Sequence, residues 1–228
     1  MEKITHIYHD GFALELDQTV LIFDWYRGEL PRLPKGKKTV ILASHSHQDH
    51  YHRQIFDLRG LFEDLSYVLD SGIAVPEAEE GRDIRKISPG QEILLPGEPE
   101  IRVRAFFSTD IGSAFLVEAE GKLIFHAGDL NIWYWEGEPE EENLWQEKTY
   151  LEEIRKIKEA VGDRVIDLAF LPLDVRLESH APDGFLAFLS EIPLKLAVPM
   201  HYWGEEQKMR ACLDLKEMAA YADRIKVF

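Results

Sequence analysis

The sequence has a single cysteine, Cys212. No disulfide can form within the chain, so its stability must come from packing. Cys212 falls in a segment with helical spacing and reads as a small apolar residue, not a nucleophile. No run approaches the roughly 20 apolar residues that span a bilayer. Met1 to Asp10 lacks the basic start and apolar stretch of a secretion signal, so the expected location is the cytoplasm, with no membrane partner. Basic residues are in deficit. Lys and Arg number 26 against 42 Asp and Glu, a formal charge of −16. A surface of that sign repels phosphate backbones, which argues against nucleic acid as a partner. Internal repeats and linker-like tracts are also missing. The 228 residues therefore read as one domain, 1–228, large enough for a substantial core. Nothing in the sequence sets the oligomeric state.

The pattern of elements changes along the chain. Ile4–Tyr8, Ala13–Leu16, Val20–Phe23 and Thr39–Ala43 are β-branched or aromatic runs separated by turn residues. Helical spacing is expected from His52 to Leu65. Strands follow at Tyr67–Leu69, Ile84–Ile87, Ile93–Leu95, Ile101–Phe107, Ala114–Ala119 and Leu123–His126, with Glu120-Gly121 as a hairpin turn. Glu136 to Glu142 is acidic, broken by Gly137 and Pro139, and reads as an exposed loop. Leu151, Ile154, Ile157 and Val161 recur at helical spacing. Strands at Val165–Leu171 and Leu194–Val198, helices at Pro182–Leu189 and Glu205–Ala222, and a last strand at Ile225–Phe228 complete the chain. Strands come first and then alternate with helices, which fits an α+β pair of sheets covered by helices on both outer faces.

Four of the nine histidines lie between His45 and His52. The run His45-Ser46-His47-Gln48-Asp49-His50 directly follows the apolar strand Thr39–Ala43. Neutral imidazole and carboxylate are ligands for zinc, manganese or iron. In a loop just past a strand, residues two apart can point the same way, so His45 and His47 can hold one metal while Asp49 and His50 hold a second. Paired metals can activate a water and polarise the bond under attack. The alternative is a histidine-rich surface loop without ligand duty.

This run resembles the signature of the metallo-β-lactamase superfamily. Phe23-Asp24 after an early strand, Phe125-His126-Ala127-Gly128-Asp129, and Val198-Pro199-Met200-His201 resemble, in order, other segments of that family, so the likeness runs over nearly the whole chain. The resemblance implies a four-layer αββα sandwich with the site along one edge of the sheets. It implies two divalent metal ions, zinc foremost, with manganese or iron as alternatives. His45 and His47 would hold the first, Asp49, His50 and His201 the second, and Asp129 would bridge them. A bridging hydroxide would attack the substrate, with Asp49 orienting it. The implied activity is a metal-dependent hydrolase acting on a small ester, lactone or phosphodiester. The competing classes are a non-catalytic metal- or ligand-binding module of the same fold and a di-iron redox protein.

One departure stands out. The family places a third histidine before the bridging aspartate, but this chain has none between His52 and His126. Ser108-Thr109-Asp110-Ile111-Gly112-Ser113 stands there instead. Asp110 is either an oxygen ligand of the first metal or the end of a strand. Asn131, Trp133 and Trp203 lie close to ligands in sequence and are candidates for a substrate wall. Asp174, at the end of an apolar strand, is a candidate partner of a ligand histidine or, through Arg176, of substrate. His126 reads as a buried support, His180 as a helix-start surface residue, and His6, His9 and His52 as non-ligands.

Overall fold

The computed structural model describes residues 3–81 and 83–228. Two six-stranded sheets form the body. The first runs β1 (Lys3–Tyr8), β2 (Gly11–Glu15), β3 (Thr19–Phe23), β4 (Lys38–Ala43), β5 (Asp64–Asp70) and β6 (Ile84–Ile87) in spatial order. Its first three strands are antiparallel and the rest parallel. The second sheet comprises β7 (Glu92–Leu95), β8 (Ile101–Phe107), β9 (Ser113–Ala119), β10 (Lys122–His126), β11 (Leu168–Pro172) and β12 (Ala197–Met200). It is antiparallel as far as β10 and parallel from β10 to β12. Pro199 is tolerated in β12 because that strand is an edge, where a missing N–H need not break a ladder. Glu120 and Gly121 both have positive φ, 52° and 73°, the hairpin geometry expected of that pair.

Alternation along the first sheet sorts its side chains onto two faces. Phe12, Leu14, Leu21, Phe23, Val40 and Leu42 join the large core shared with the second sheet. Val20, Ile22, Ile41, Ala43, Tyr67 and Leu69 form a separate outer cluster. That cluster is covered by Ile55, Phe56 and Leu58 of a short 3-10 turn. The helical spacing over His52–Leu65 therefore yields only Arg53–Leu58, and Leu65 lies in β5. Gly60, at φ 78°, turns the chain toward that strand. On the second sheet, α1 (Glu140–Val161) packs against β8 and α2 (Asp183–Glu191) against β11. The αββα plan holds, with the outer layer of the first sheet reduced to a turn and loops.

Three other expectations change. The acidic stretch 136–142 is loop only as far as Pro139. Glu140, Glu141 and Glu142 open α1, where carboxylates meet the positive end of the helix dipole. The expected C-terminal helix divides into α3 (Glu206–Leu213) and a 3-10 segment, Lys216–Arg224, because Leu215 is extended. The last strand shrinks to one bridge, Ile225 to Ala197. None of the described helices is long and apolar enough to cross a membrane.

Candidate metal centre

The site collects where chain segments leave the sheets. β4 ends in Ser44 and His45, β10 in Asp129, β12 in His201, β11 in Asp174 and β3 in Asp24. The β1–β2 turn adds His9 and Asp10, and the β8–β9 turn adds Asp110. Strand alternation buries the residues before each end, so the first residues past it form a polar cluster on an apolar floor. His9, Asp24 and His201 all adopt left-handed backbone, with φ of 55°, 41° and 61°. Such strain costs roughly 1–3 kcal/mol per residue and persists only where the surroundings dictate it.

Hydrogen bonding decides which ring nitrogen of each histidine is free. Asp24 accepts from the Ser44 N–H at 2.8 Å, the Ser44 hydroxyl at 2.6 Å and His50 Nδ1 at 2.9 Å. The Ser44 hydroxyl proton is therefore spent on Asp24, and its oxygen accepts from His45 Nδ1 at 3.0 Å. Asp174 accepts from His201 Nδ1 at 3.0 Å. A carboxylate can only accept, so each Nδ1 carries hydrogen, and in the neutral ring the lone pair is at Nε2.

All three lone pairs face one carboxylate. His50 Nε2 lies 3.1 Å and His201 Nε2 3.3 Å from Asp129 Oδ1, and His45 Nε2 lies 3.4 Å from Asp129 Oδ2. These three nitrogens and Asp129 Oδ1 are buried without a hydrogen-bond partner. Acceptors that face each other in a buried pocket repel unless a cation lies between them. The donor set thus fits divalent metal ions, with the Asp24, Ser44 and Asp174 contacts supplying the outer support that fixes ligand tautomers.

The electrostatics agree. Burial alone would lower His201, but the charges of Asp10, Asp129 and Asp174 outweigh it and push the imidazole up to about 10. His50 is fully buried and moves the same way, raised by Asp129, Asp10 and Asp24. His45 moves oppositely, down to about 4, through burial and the neighbouring His50. Asp129 is held well below the usual carboxylate range despite its burial, by His50 and His201. The negative charges that raise His50 and His201 would equally favour a cation beside their ring nitrogens.

Three donor groups emerge among the described residues: His45, His47 and Asp129; Asp10, His50, Asp129 and His201; and His9, Asp49, His50 and His201. The structure thus brings His45, His47, Asp49, His50, Asp129 and His201 together. Asp110 Oδ2 lies 4.0 Å from His47 Nδ1, at the mouth of the site. His9, read from the sequence as a non-ligand, instead lies among the donor atoms because the β1–β2 turn carries it there, and Asp10 is an addition to the sequence reading. His9 Nε2 lies 3.7 Å from Asp49 Oδ2, and neither ring nitrogen has a partner. Asp10 is fully buried with neither carboxylate oxygen hydrogen-bonded, and its Oδ2 lies 3.4 Å from His50 Nδ1 and 3.9 Å from His201 Nε2. The signal available in the sequence was His9-Asp10-Gly11 between two apolar runs, a turn with two ligand-type side chains.

The remaining candidates find definite places. A cavity of about 320 Å³ opens on the site, lined by His47, Asp49, Asp110, Asp129, His201, Gln146, Arg176, Trp133, Trp135 and Trp203. Trp133 donates from its indole to the Asp129 carbonyl at 2.9 Å, so it walls the cavity and braces Asp129. Asn131 is buried, with its amide oxygen pressed against Gly184 at the start of α2, and it does not line the cavity. Asp174 is buried behind His201 and chelates the Arg176 guanidinium, which lies over the Trp203 and Trp135 rings. His126 donates from Nε2 to the Asp10 carbonyl at 2.9 Å and accepts from the Gly128 N–H, anchoring the β1–β2 turn to the Asp129 loop. His52 caps the 3-10 turn through Gln54 N–H, His180 pairs with Asp183, and His6 bonds the His9 carbonyl.

No family model matches the chain. A UPF0173 metal-dependent hydrolase from Opitutus terrae is 27% identical over 97% of this chain and 92% of that protein. Further UPF0173 relatives match over 63–64% of their own length. Among solved structures, Igni18, a metallo hydrolase from Ignicoccus hospitalis, superposes with a TM-score of 0.68 at 17% identity, covering 100% of this chain and 94% of that one. CmlA, a diiron β-hydroxylase from Streptomyces venezuelae, gives 0.64 at 10% identity, covering 100% of this chain and 52% of that one. The chain is thus similar in sequence to the UPF0173 metal-dependent hydrolases, and it has the αββα sandwich that the resemblance to the metallo-β-lactamase superfamily implied.

Proposed function

We propose that this protein is a hydrolase that uses two divalent metal ions on a small ester, lactone or phosphodiester. The observation that carries the reading is the convergence of the Nε2 atoms of His45, His50 and His201 on the Asp129 carboxylate in a buried cluster where none of the three has a hydrogen-bond partner. The relatives' description as metal-dependent hydrolases supports it. His45 and His47, with Asp110, would hold one metal; Asp49, His50 and His201 the other; Asp129 would bridge. Zinc suits the histidine donors, while the carboxylates leave manganese and iron as alternatives. When bound, such ions supply Lewis acidity and generate a hydroxide nucleophile at neutral pH.

The chain's own residues supply the remaining chemistry. Asp49 lines the cavity, and His9 and His50 hold it in its ionised form despite partial burial. An ionised carboxylate there can accept a proton from water or orient it. Trp133, Trp135 and Trp203 give the cavity apolar walls. Arg176, clamped by Asp174, offers a fixed positive charge to an anionic or carbonyl oxygen of the substrate. A volume of about 320 Å³ matches a small ligand.

The test is metal content by elemental analysis, followed by turnover on a panel of aryl phosphodiesters, lactones and thioesters. About two metal equivalents and hydrolysis that is lost in Asp129→Asn are expected; near-zero metal after purification without chelator would overturn the reading. The fold likeness to a diiron hydroxylase and the mixed histidine and carboxylate donor set favour one alternative, a di-iron redox role. Two bound irons with a visible absorption band and no hydrolysis would select it. Two metals with neither activity would select a binding module.

A further inference from the structure

The two metal positions are built unequally. His47 and Asp110 are half exposed, with side-chain accessibilities of 49% and 50%, and no third histidine reaches them. On the other side His9, His50 and His201 are buried, at 1%, 0% and 3%. His9 is more than a packed ring. Both of its nitrogens lack a partner although the side chain is buried, and Nε2 lies 3.7 Å from Asp49 Oδ2. One of its nitrogens lies within 4.8 Å of donor atoms on Asp49, His50 and His201. Its backbone is held at φ 55°, and two bonds fix the turn in that shape: His6 Nε2 to the His9 carbonyl and His126 Nε2 to the Asp10 carbonyl. Strain held in place by dedicated bonds, on a side chain aimed into a donor cluster, marks a position kept for a ligand.

Building on the dinuclear reading, we propose that His9 is a ligand of the position formed by Asp49, His50 and His201, so that this position holds its metal tightly and the His45–His47 position holds a second metal weakly and exchangeably. The histidine missing from the β8–β9 turn is matched by an extra one from the β1–β2 turn, on the opposite side of Asp129. A buried three-imidazole site outcompetes one with two imidazoles of which His47 is half exposed, because affinity follows donor number and softness, and burial shields the ligands from competing water.

The experiment titrates metal-stripped protein with Co²⁺, followed by visible absorption, and with Zn²⁺ in competition with a chromophoric chelator. Wild type should take up one tight and one weaker equivalent. His9→Asn tolerates positive φ, and His9→Phe keeps the ring's packing. Both should weaken the tight equivalent by at least about 100-fold, the upper end of what loss of an outer-sphere partner costs, and should change the Co²⁺ ligand-field bands. Asp110→Ala should weaken only the second equivalent. If His9→Phe or His9→Asn, folded by thermal unfolding, keeps the tight affinity and the Co²⁺ spectrum, His9 only packs and the proposal fails while the dinuclear reading stands. A wild type that binds neither ion sinks both.

Discussion

Asp24 sets the tautomer of His50, and Asp24→Asn tests that role without emptying space. Asp24 Oδ1 faces the Ser44 N–H, while Oδ2 receives both the Ser44 hydroxyl and His50 Nδ1. An asparagine that keeps its oxygen on the Ser44 N–H must turn its NH₂ toward the other two. The Ser44 hydroxyl can rotate and accept, but then its bond with His45 Nδ1 is also disturbed. His50 Nδ1 meets a donor and must give up its own hydrogen. The proton moves to Nε2, the atom aimed at Asp129, and the lone pair needed for a metal is lost. Metal affinity should fall by about 10- to 100-fold, which is about 1.4–2.7 kcal/mol. The metal-free fold should lose about 1–3 kcal/mol, the cost of a mismatched buried hydrogen bond. Asparagine accepts the positive φ of this position, so backbone strain adds little. Competition titration with a chelator reads the first quantity and urea unfolding of metal-free protein the second. Zinc affinity within twofold of wild type would show that Asp24 does not govern His50, and the outer-support argument would fall.

Three further outcomes are expected. Gly112→Ala places a methyl group at φ 77° against the Ser44 carbonyl and His45 Cβ; urea unfolding should show a loss of about 2–4 kcal/mol from overpacking and left-handed strain, and a change below ~0.5 kcal/mol would refute the steric argument. In metal-free protein, His50 and His201 have pKa values raised above the ordinary 6.5, His201 to about 10; their stabilisation is fully present below pH 6.5 and disappears as pH rises toward 10, so the metal-free melting temperature should fall over that window and metal should restore it most at its alkaline end. Asp110→Ala should leave folding intact, because the side chain is half exposed, yet remove one metal from elemental analysis while His201→Ala depletes the other; unchanged metal content in the Asp110 variant would make Asp110 a turn residue only.

Local pattern carried much of this protein. Ligand types in His45–His50 were legible because consecutive residues in one loop cannot disperse far, and because an apolar strand, Thr39–Ala43, leads straight into them. Asp129 and His201 were legible through the resemblance to the metallo-β-lactamase superfamily, each lying just past an apolar strand. The residue pattern also located the twelve described strands to within a few residues, since alternation against a core leaves a clear trace; the outer layer left a weaker one, and His52–Leu65 became a short 3-10 turn. Tertiary structure alone decided the rest. His9 and Asp10 sit in a β1–β2 turn far from the histidine run, and only the registers β1–β2 and β3–β4 with the left-handed backbone of His9 carry them beside His50 and His201. The role of Asp24, and the choice of His201 as the histidine that Asp174 supports, follow from the same cause: a side chain that fixes a tautomer is chosen by a hydrogen bond of about 3 Å across the sheet ends. Sequence spacing therefore determines which residues can bind a metal, whereas strand register and backbone handedness determine which of their nitrogens face it.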